Sequence, residues 1–247
     1  MQDRPTILVP VRVLEGDSIP EGVPALLANA HVVLLGYHVV PDQTATDQAR
    51  AQFEDQATRR LDDFTTMLEH AGATVESRLV FTHDGQQTID RMTVEHDCLA
   101  VLIPNATSPL EHILVAVRGV VGIDRFVRLV SGLFAPIDVN ITLYHIAEEN
   151  ETDEDVKTLL DGVATRLSEE GVDSDTIDIR ISRDGSPQEK IVEISDEYDA
   201  IVMGESDPSV TTFFFGMRAD QVAKQFLGPV LVIQHGKPED DEATAPD

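Results

Sequence analysis

The chain has 247 residues, with 45 acidic side chains against 18 basic ones and a formal charge of −27. This balance speaks against DNA or an anionic membrane surface as partner, because both call for a cationic face. Lysine is confined to Lys157, Lys190, Lys224 and Lys237, which points to a salt-rich cytoplasm where a Debye length of about 3 Å at molar salt screens the self-repulsion. The one cysteine, Cys98, permits no internal disulfide and opens an apolar run, so it reads as a buried thiol and not a nucleophile. With no signal-peptide segment and no apolar run of eighteen residues, a soluble cytoplasmic protein is expected.

From Thr6 to Gln234 short apolar runs alternate with longer amphipathic stretches, the pattern of βαβ units around a parallel sheet. In chain order, Ile7–Val11 and Val32–Val40 read as buried strands, Thr46–Ala71 as a helix, Thr74–Thr82 as a strand, Gln86–His96 as a helix and Leu99–Pro104 as a strand. The series then restarts with a strand at Ile113–Val117, a helix at Asp124–Phe134, a strand at Val139–Ala147, a helix at Asp153–Glu170 and a strand at Thr176–Ser182. It closes with a helix at Gln188–Ser195, a strand at Ala200–Met203, a helix at Thr212–Phe226 and a strand at Pro229–Ile233. Gly171 and Gly228-Pro229 are helix stop signals.

The restart has the form of a duplication. Ile7-Leu-Val-Pro-Val-Arg12 matches Ile113-Leu-Val-Ala-Val-Arg118, Tyr37-His38 matches Tyr144-His145, Asp84-Gly85 matches Asp184-Gly185, and Glu95-His96-Asp97 matches Glu197-Tyr198-Asp199, all in the same order. The expected division is a truncated repeat at 1–109, a complete repeat at 110–236 and a disordered acidic tail at 237–247. Only residues 105–111 separate the strand near Pro104 from the one near Ile113, too few for a parallel crossover with its helix. The two strands are therefore expected in different sheets, with the open apolar edge at Leu99–Ile103 covered by the second half or by another chain.

The openings Ile7-Leu-Val-Pro-Val11 and Ile113-Leu-Val-Ala-Val117, the second strands ending Tyr37-His-Val-Val40 and Tyr144-His-Ile146, and the closing Ala200-Ile-Val-Met-Gly-Glu-Ser206 followed by Gly228-Pro-Val-Leu-Val-Ile233 resemble a tandem universal stress protein, similar to those of salt-loving archaea. The resemblance spans Thr6 to Gln234. It implies an α/β fold of two Rossmann-like, adenine-nucleotide-hydrolase-like repeats, each a parallel sheet of strand order 3-2-1-4-5, the first lacking its last helix and strand. It also implies a stress-response protein and a homodimer formed through the last strand, Pro229–Ile233. Some members bind ATP and others do not.

Ligands on such sheets sit beyond the carboxyl ends of the strands at the switch point, so the residues after the first and fourth strands of each half matter most. Nucleotide-binding members carry an aspartate after the first strand and, after the fourth, Gly, two residues, Gly, nine residues, Gly, then Ser or Thr. Here Arg12 and Arg118 replace the aspartate, Gly204 matches, Asp207 replaces the second glycine, Gly216 follows one residue early and Met217 replaces the hydroxyl. A phosphate cradle presents backbone N–H groups. Asp207 places a negative charge there and Pro208 removes a donor.

The resulting motif is a degenerate ATP-binding motif. Gly204, Glu205, Ser206, Ser209 and Gly216 are its candidate positions, and Arg12, Val39, Arg118 and Ile146 are the candidates on the facing strand ends, the valine and isoleucine standing where the backbone meets adenine. The favoured reading is a non-catalytic protein with no cofactor, acting through protein partners that the sequence does not identify. The alternative is an ATP-binding switch or slow ATPase using Gly204–Ser209.

A structural ion pair is the favoured role of Arg12 and Arg118, with binding of a carboxylate or phosphate as the alternative. His38 and His145 read as structural histidines, and no histidine pair has metal-ligand spacing. Three consecutive aromatics, Phe213–Phe215, cannot all face one core. They either pack within it or reach the first half or a partner.

Overall fold

A computed structural model of the chain describes residues 4–107, 109–118, 122–183, 187–204 and 228–234, without the side chains of 187–189 and 192. Its elements are β1 (Thr6–Arg12), α1 (Val23–Leu26), β2 (His31–Val39), α2 (Thr46–Ala71), β3 (Thr74–Thr82), α3 (Gly85–Glu95) and β4 (Ala100–Ile103), then β5 (His112–Ala116), α4 (Ile123–Phe134), β6 (Asn140–Ala147), α5 (Asp153–Glu169), β7 (Ile177–Arg183), α6 (Pro187–Ile194), β8 (Ala200–Gly204) and β9 (Val230–Ile233). Two differences from the sequence reading stand out among these residues. The short helix α1 carries no periodic signal, and a 3-10 turn at Ser174–Thr176 moves the start of β7 to Ile177.

Burial on both faces explains why β1 and β2 read as continuous apolar runs: Ile7, Leu8, Val9 and Val32 to Leu35 are wholly buried. Helix α2 buries Ala57, Leu61, Phe64 and Leu68, and α5 buries Val156, Leu160, Val163 and Leu167, the same helical spacing twice. Both helices stop alike. Gly72 at φ 112° and Gly171 at φ 96° take the left-handed turn, and the N–H groups of Ala73 and Val172 return to the carbonyls of Leu68 and Leu167. At the other end α3 is capped by Asp84, which accepts from Gln87 N–H at 2.9 Å, and α5 by Thr152, which accepts from Asp155 N–H at 3.2 Å.

All nine described strands form one sheet of order β3-β2-β1-β4-β9-β8-β5-β6-β7. Neighbours are parallel throughout except at β4 and β9, which pair antiparallel with Val101 opposite Val232 and Leu102 opposite Leu231. Each half thus has the 3-2-1-4 order, and only the second adds a fifth strand. That strand covers the open side of β4, as the apolar edge required.

Two expectations are overturned here. The strands β4 and β5 lie in one sheet and not in two. They run antiparallel to each other, so no crossover helix is needed: the connector 104–111 only traverses the ends of β9 and β8. Three strand spacings are roughly 14 Å, well within the roughly 25 Å reach of such a segment. The connector is stitched down on the way, Asn105 Nδ2 donating to Gly228 O at 3.1 Å, Thr107 Oγ1 to Asp199 O at 2.7 Å, and the N–H groups of Glu111 and His112 to Asp199 Oδ2 at 2.8 and 2.9 Å.

The second correction concerns dimerisation through Pro229–Ile233. Both edges of β9 are occupied within the chain, by β8 and β4, so no second copy can add to that strand.

On one face of the sheet a single core joins both halves, with Ile7, Leu61, Phe64 and Leu102 in the same cluster as Ile113, Leu133, Leu160 and Leu231. The other face carries two separate clusters, around Leu8, Met92 and Cys98 in the first half and around Tyr144, Ile194 and Met203 in the second. Arg125 of α4 ties the halves further by donating to Cys98 O at 2.8 Å. The helix expected at Thr212–Phe226, with Phe213–Phe215, the Asp184-Gly185 match and the tail 237–247 lie outside the described residues. No helix of the described residues is long and apolar enough to cross a membrane.

Candidate functional site

Because β4 and β9 are antiparallel, the strands of the two halves end on opposite sides of the sheet. Each half therefore has its own switch point, between β1 and β4 in the first and between β5 and β8 in the second. The candidates divide accordingly. Arg12 and Val39 lie at one end of the sheet, on neighbouring strands with Arg12 in register with Tyr37. Arg118, Ile146 and Gly204 lie at the other, beyond or at the ends of the adjacent strands β5, β6 and β8. Glu205, Ser206, Ser209 and Gly216 fall outside the described residues.

In the first half Arg12 makes the expected ion pair. Its Nε is 3.2 Å from Asp17 Oδ2 and its Nη1 3.2 Å from Glu15 Oε2. The backbone N–H of Arg12 donates to the same Asp17 oxygen at 3.0 Å. Partial burial acts to lower the Arg12 pKa, but the charges of Asp17, Tyr37 and Glu15 together outweigh it and hold the guanidinium above its ordinary value. Burial pushes the Tyr37 hydroxyl up as well, with Asp17 and Glu15 reinforcing and Arg12 opposing.

The segments that follow β1 and β4 are tied to each other. Thr107 N–H donates to Glu21 O at 3.0 Å, and a Cβ on Gly22, which sits at φ +86°, would lie 2.6 Å from Thr107 O. Only glycine admits this contact.

The second half is organised by His145, which is 3% exposed. Its Nδ1 lies 2.7 Å from Val117 O and its Nε2 3.0 Å from Glu151 Oε2. A carbonyl and a carboxylate both accept, so each ring nitrogen faces an acceptor for the proton it can carry. Glu151 also accepts from the Glu148 N–H at 2.7 Å. That bond, and next the one to His145, hold the Glu151 carboxyl below its ordinary range.

His145 thus fixes the loop after β6 against the end of β5, and the structural reading of this histidine holds. The loop brings Glu148 to 3.6 Å from Arg118, with both side chains more than half exposed. An ion pair so placed is worth about 0–1 kcal/mol. His38, its counterpart in the first half, packs edge-on against Phe53 and Phe81, and its Nδ1 is buried without a hydrogen-bond partner.

Asp17, Glu148 and Glu151 escaped the sequence reading. For Asp17 a signal was available: the positive-φ glycines Gly16 and Gly122 occupy matching places in the repeats, yet one is followed by Asp17 and the other by Ile123. The two glutamates carried none, because acidic residues are everywhere in this chain. An open groove of about 660 Å³ between α5 and β7, lined by Asp161, Thr165, Ser168, Ile177 and Ile179 among others, lies at the start of β7, away from Arg118 and Gly204 at the strand ends. Among the described residues no group of three or more His, Cys, Asp or Glu side chains could hold a metal ion.

No protein-family model and no curated protein matches the chain. Among solved structures it is similar to a universal stress protein from Archaeoglobus fulgidus DSM 4304, at 16% identity and a TM-score of 0.63 over 95% of this chain and 97% of that one. It also matches a putative universal stress protein from Pseudomonas aeruginosa UCBPP-PA14, at 17% identity and a TM-score of 0.47 over 94% of each chain. A universal stress protein from Archaeoglobus fulgidus in complex with dAMP matches 50% of this chain and 97% of its own, at 24% identity and a TM-score of 0.37. The first likeness establishes that the chain has the universal stress protein fold over nearly its whole length; the other two scores are too low to add to it.

Proposed function

We propose that the chain is a tandem universal stress protein, with a truncated repeat at 1–109 and a complete one at 110–236, that works without catalysis as a regulatory or interaction scaffold in a salt-rich cytoplasm. The observation that carries this reading is the state of the first switch point. An arginine stands where the resemblance implies an aspartate, its guanidinium is taken up by Asp17 and Glu15, and the segment after β1 is tied through Glu21 O to Thr107 N–H. The antiparallel pairing of β4 and β9 supports it too, since it supplies inside one chain the strand contact that the resemblance implies between two. A homodimer therefore uses a different surface.

Thermal melting with and without millimolar ATP, in molar potassium chloride, tests the proposal. A ligand at a hundredfold excess over its Kd stabilises by about 2.7 kcal/mol, so the reading predicts an unmoved curve and fails if ATP raises the midpoint. A second reading, an ATP-dependent switch or slow ATPase using Gly204–Ser209, is favoured by one observation: Arg118, Ile146 and Gly204 share one end of three adjacent parallel strands. Native mass spectrometry of the purified chain at high salt separates the two, because a switch retains nucleotide and a scaffold does not.

A further inference from the structure

The carboxyl end of β1 holds an anion that belongs to the chain itself. After Arg12 the chain turns, with Glu15 N–H donating to Arg12 O at 3.1 Å and Gly16 at φ +87°. The turn returns Asp17 to the strand end, where one oxygen accepts from both the backbone N–H and the Nε of Arg12. Arg60 of α2 anchors the turn by donating to Asp17 O at 3.1 Å. A backbone N–H and a guanidinium converging on one oxygen is the recognition chemistry of a phosphate or a carboxylate.

The second half shows the alternative. There the residue after the matching glycine is Ile123, which starts the twelve-residue helix α4 at once; after Gly16 comes Asp17, and regular helix is delayed to the four residues Val23–Leu26. The position after the glycine thus starts a helix in one half and carries a carboxylate against Arg12 in the other.

We propose that the Arg12 strand end is a latent oxyanion site kept filled by Asp17, so that the first half refuses phosphate-bearing ligands while that carboxylate is in place. This rests on the same Arg12–Asp17 contact as the function proposed above and deepens that reading, but it does not depend on whether the second half takes nucleotide. The Arg12 and Asp17 side chains are 33% and 29% exposed, so solvent anions can reach the seat. Asp17 holds it because a short turn gives it an effective concentration in the millimolar range or higher, and because a dianion arriving beside Asp17 and Glu15 meets two like charges.

The test is a titration of the full-length, isotope-labelled chain with sodium phosphate at fixed molar potassium chloride, following the backbone amide of Arg12 by NMR. Wild type is compared with Asp17→Ala and with the shape-preserving double variant Glu15→Gln/Asp17→Asn. In wild type the Arg12 amide stays in place; in both variants it moves saturably, at phosphate concentrations at least about tenfold below any effect on wild type. A wild-type amide that titrates as readily as the variants overturns the proposal, and so do variants in which it never moves. The Arg118 and Gly204 amides, followed under ATP in parallel samples, report on the second half. Movement there overturns the scaffold reading and leaves the latent site standing.

Discussion

Leu231→Ala tests whether the two halves form one cooperative unit. Leu231 is fully buried in β9, opposite Leu102 of β4 and in register with Val202 of β8, within the core that spans both halves. Truncating a leucine at such a site costs about 2–5 kcal/mol, the lost transfer energy plus an unfilled cavity. For a chain of this size that lowers the melting midpoint by roughly 4–20 °C.

The location of the effect says more than its size. One face of the sheet carries a continuous core through β1, β4, β9 and β5, so β2 in the first half and β6 in the second open in the same global event. Hydrogen exchange with mass spectrometry, read on peptides covering His31–Val39 and Asn140–Ala147, should show both accelerated by a common factor of about 30 to several thousand. Calorimetry should keep a single transition. If β6 exchanges faster while β2 keeps its wild-type protection, the halves unfold independently and the shared core does not couple them.

Three further outcomes follow from particular contacts. Burial, reinforced by Asp97, pushes the Cys98 thiol up to about 12, so a thiol reagent at pH 8 should leave native protein unlabelled and react only on denaturation; rapid labelling in the absence of denaturant would contradict the buried placement. Glu151 has a lowered pKa, so its contribution is present above the ordinary glutamate value of about 4.3 and disappears as pH falls through the lower folded value. Melting of Glu151→Gln should therefore lie below wild type at pH 6–8 and converge with it under acid, and a constant gap down to pH 3 would exclude the charge as the cause. Removal of salt should destabilise a chain of net charge −27; unchanged circular dichroism and melting between molar and millimolar potassium chloride would refute the screening argument.

Local pattern alone located nearly every described strand and helix, because each reports on burial through a period that sequence displays directly. The runs at Ile7–Val11 and Val32–Val40 are apolar on both faces since both are covered, and the stripes in α2 and α5 repeat because one face of each meets the sheet. The missing fifth strand of the first half was legible as well, and so was the need to cover the edge at Leu99–Ile103.

The direction of β4 relative to β5 was not legible. Connector length constrains topology only once the relative sense of two strands is known, and that sense was settled by a distant partner, β9, whose pairing with β4 is sequence-silent. The same contact leaves neither edge of β9 open to a strand from a second chain. The site divides in the same way. Arg12 and Arg118 at matching strand ends stood in the sequence, but which acidic residue answers each arginine did not, because an ion pair depends on where a turn returns the chain. Gly16 returns Asp17 to Arg12, and His145 draws in the loop that carries Glu148 to Arg118. Side-chain chemistry was written in one dimension; the pairing of charges required three.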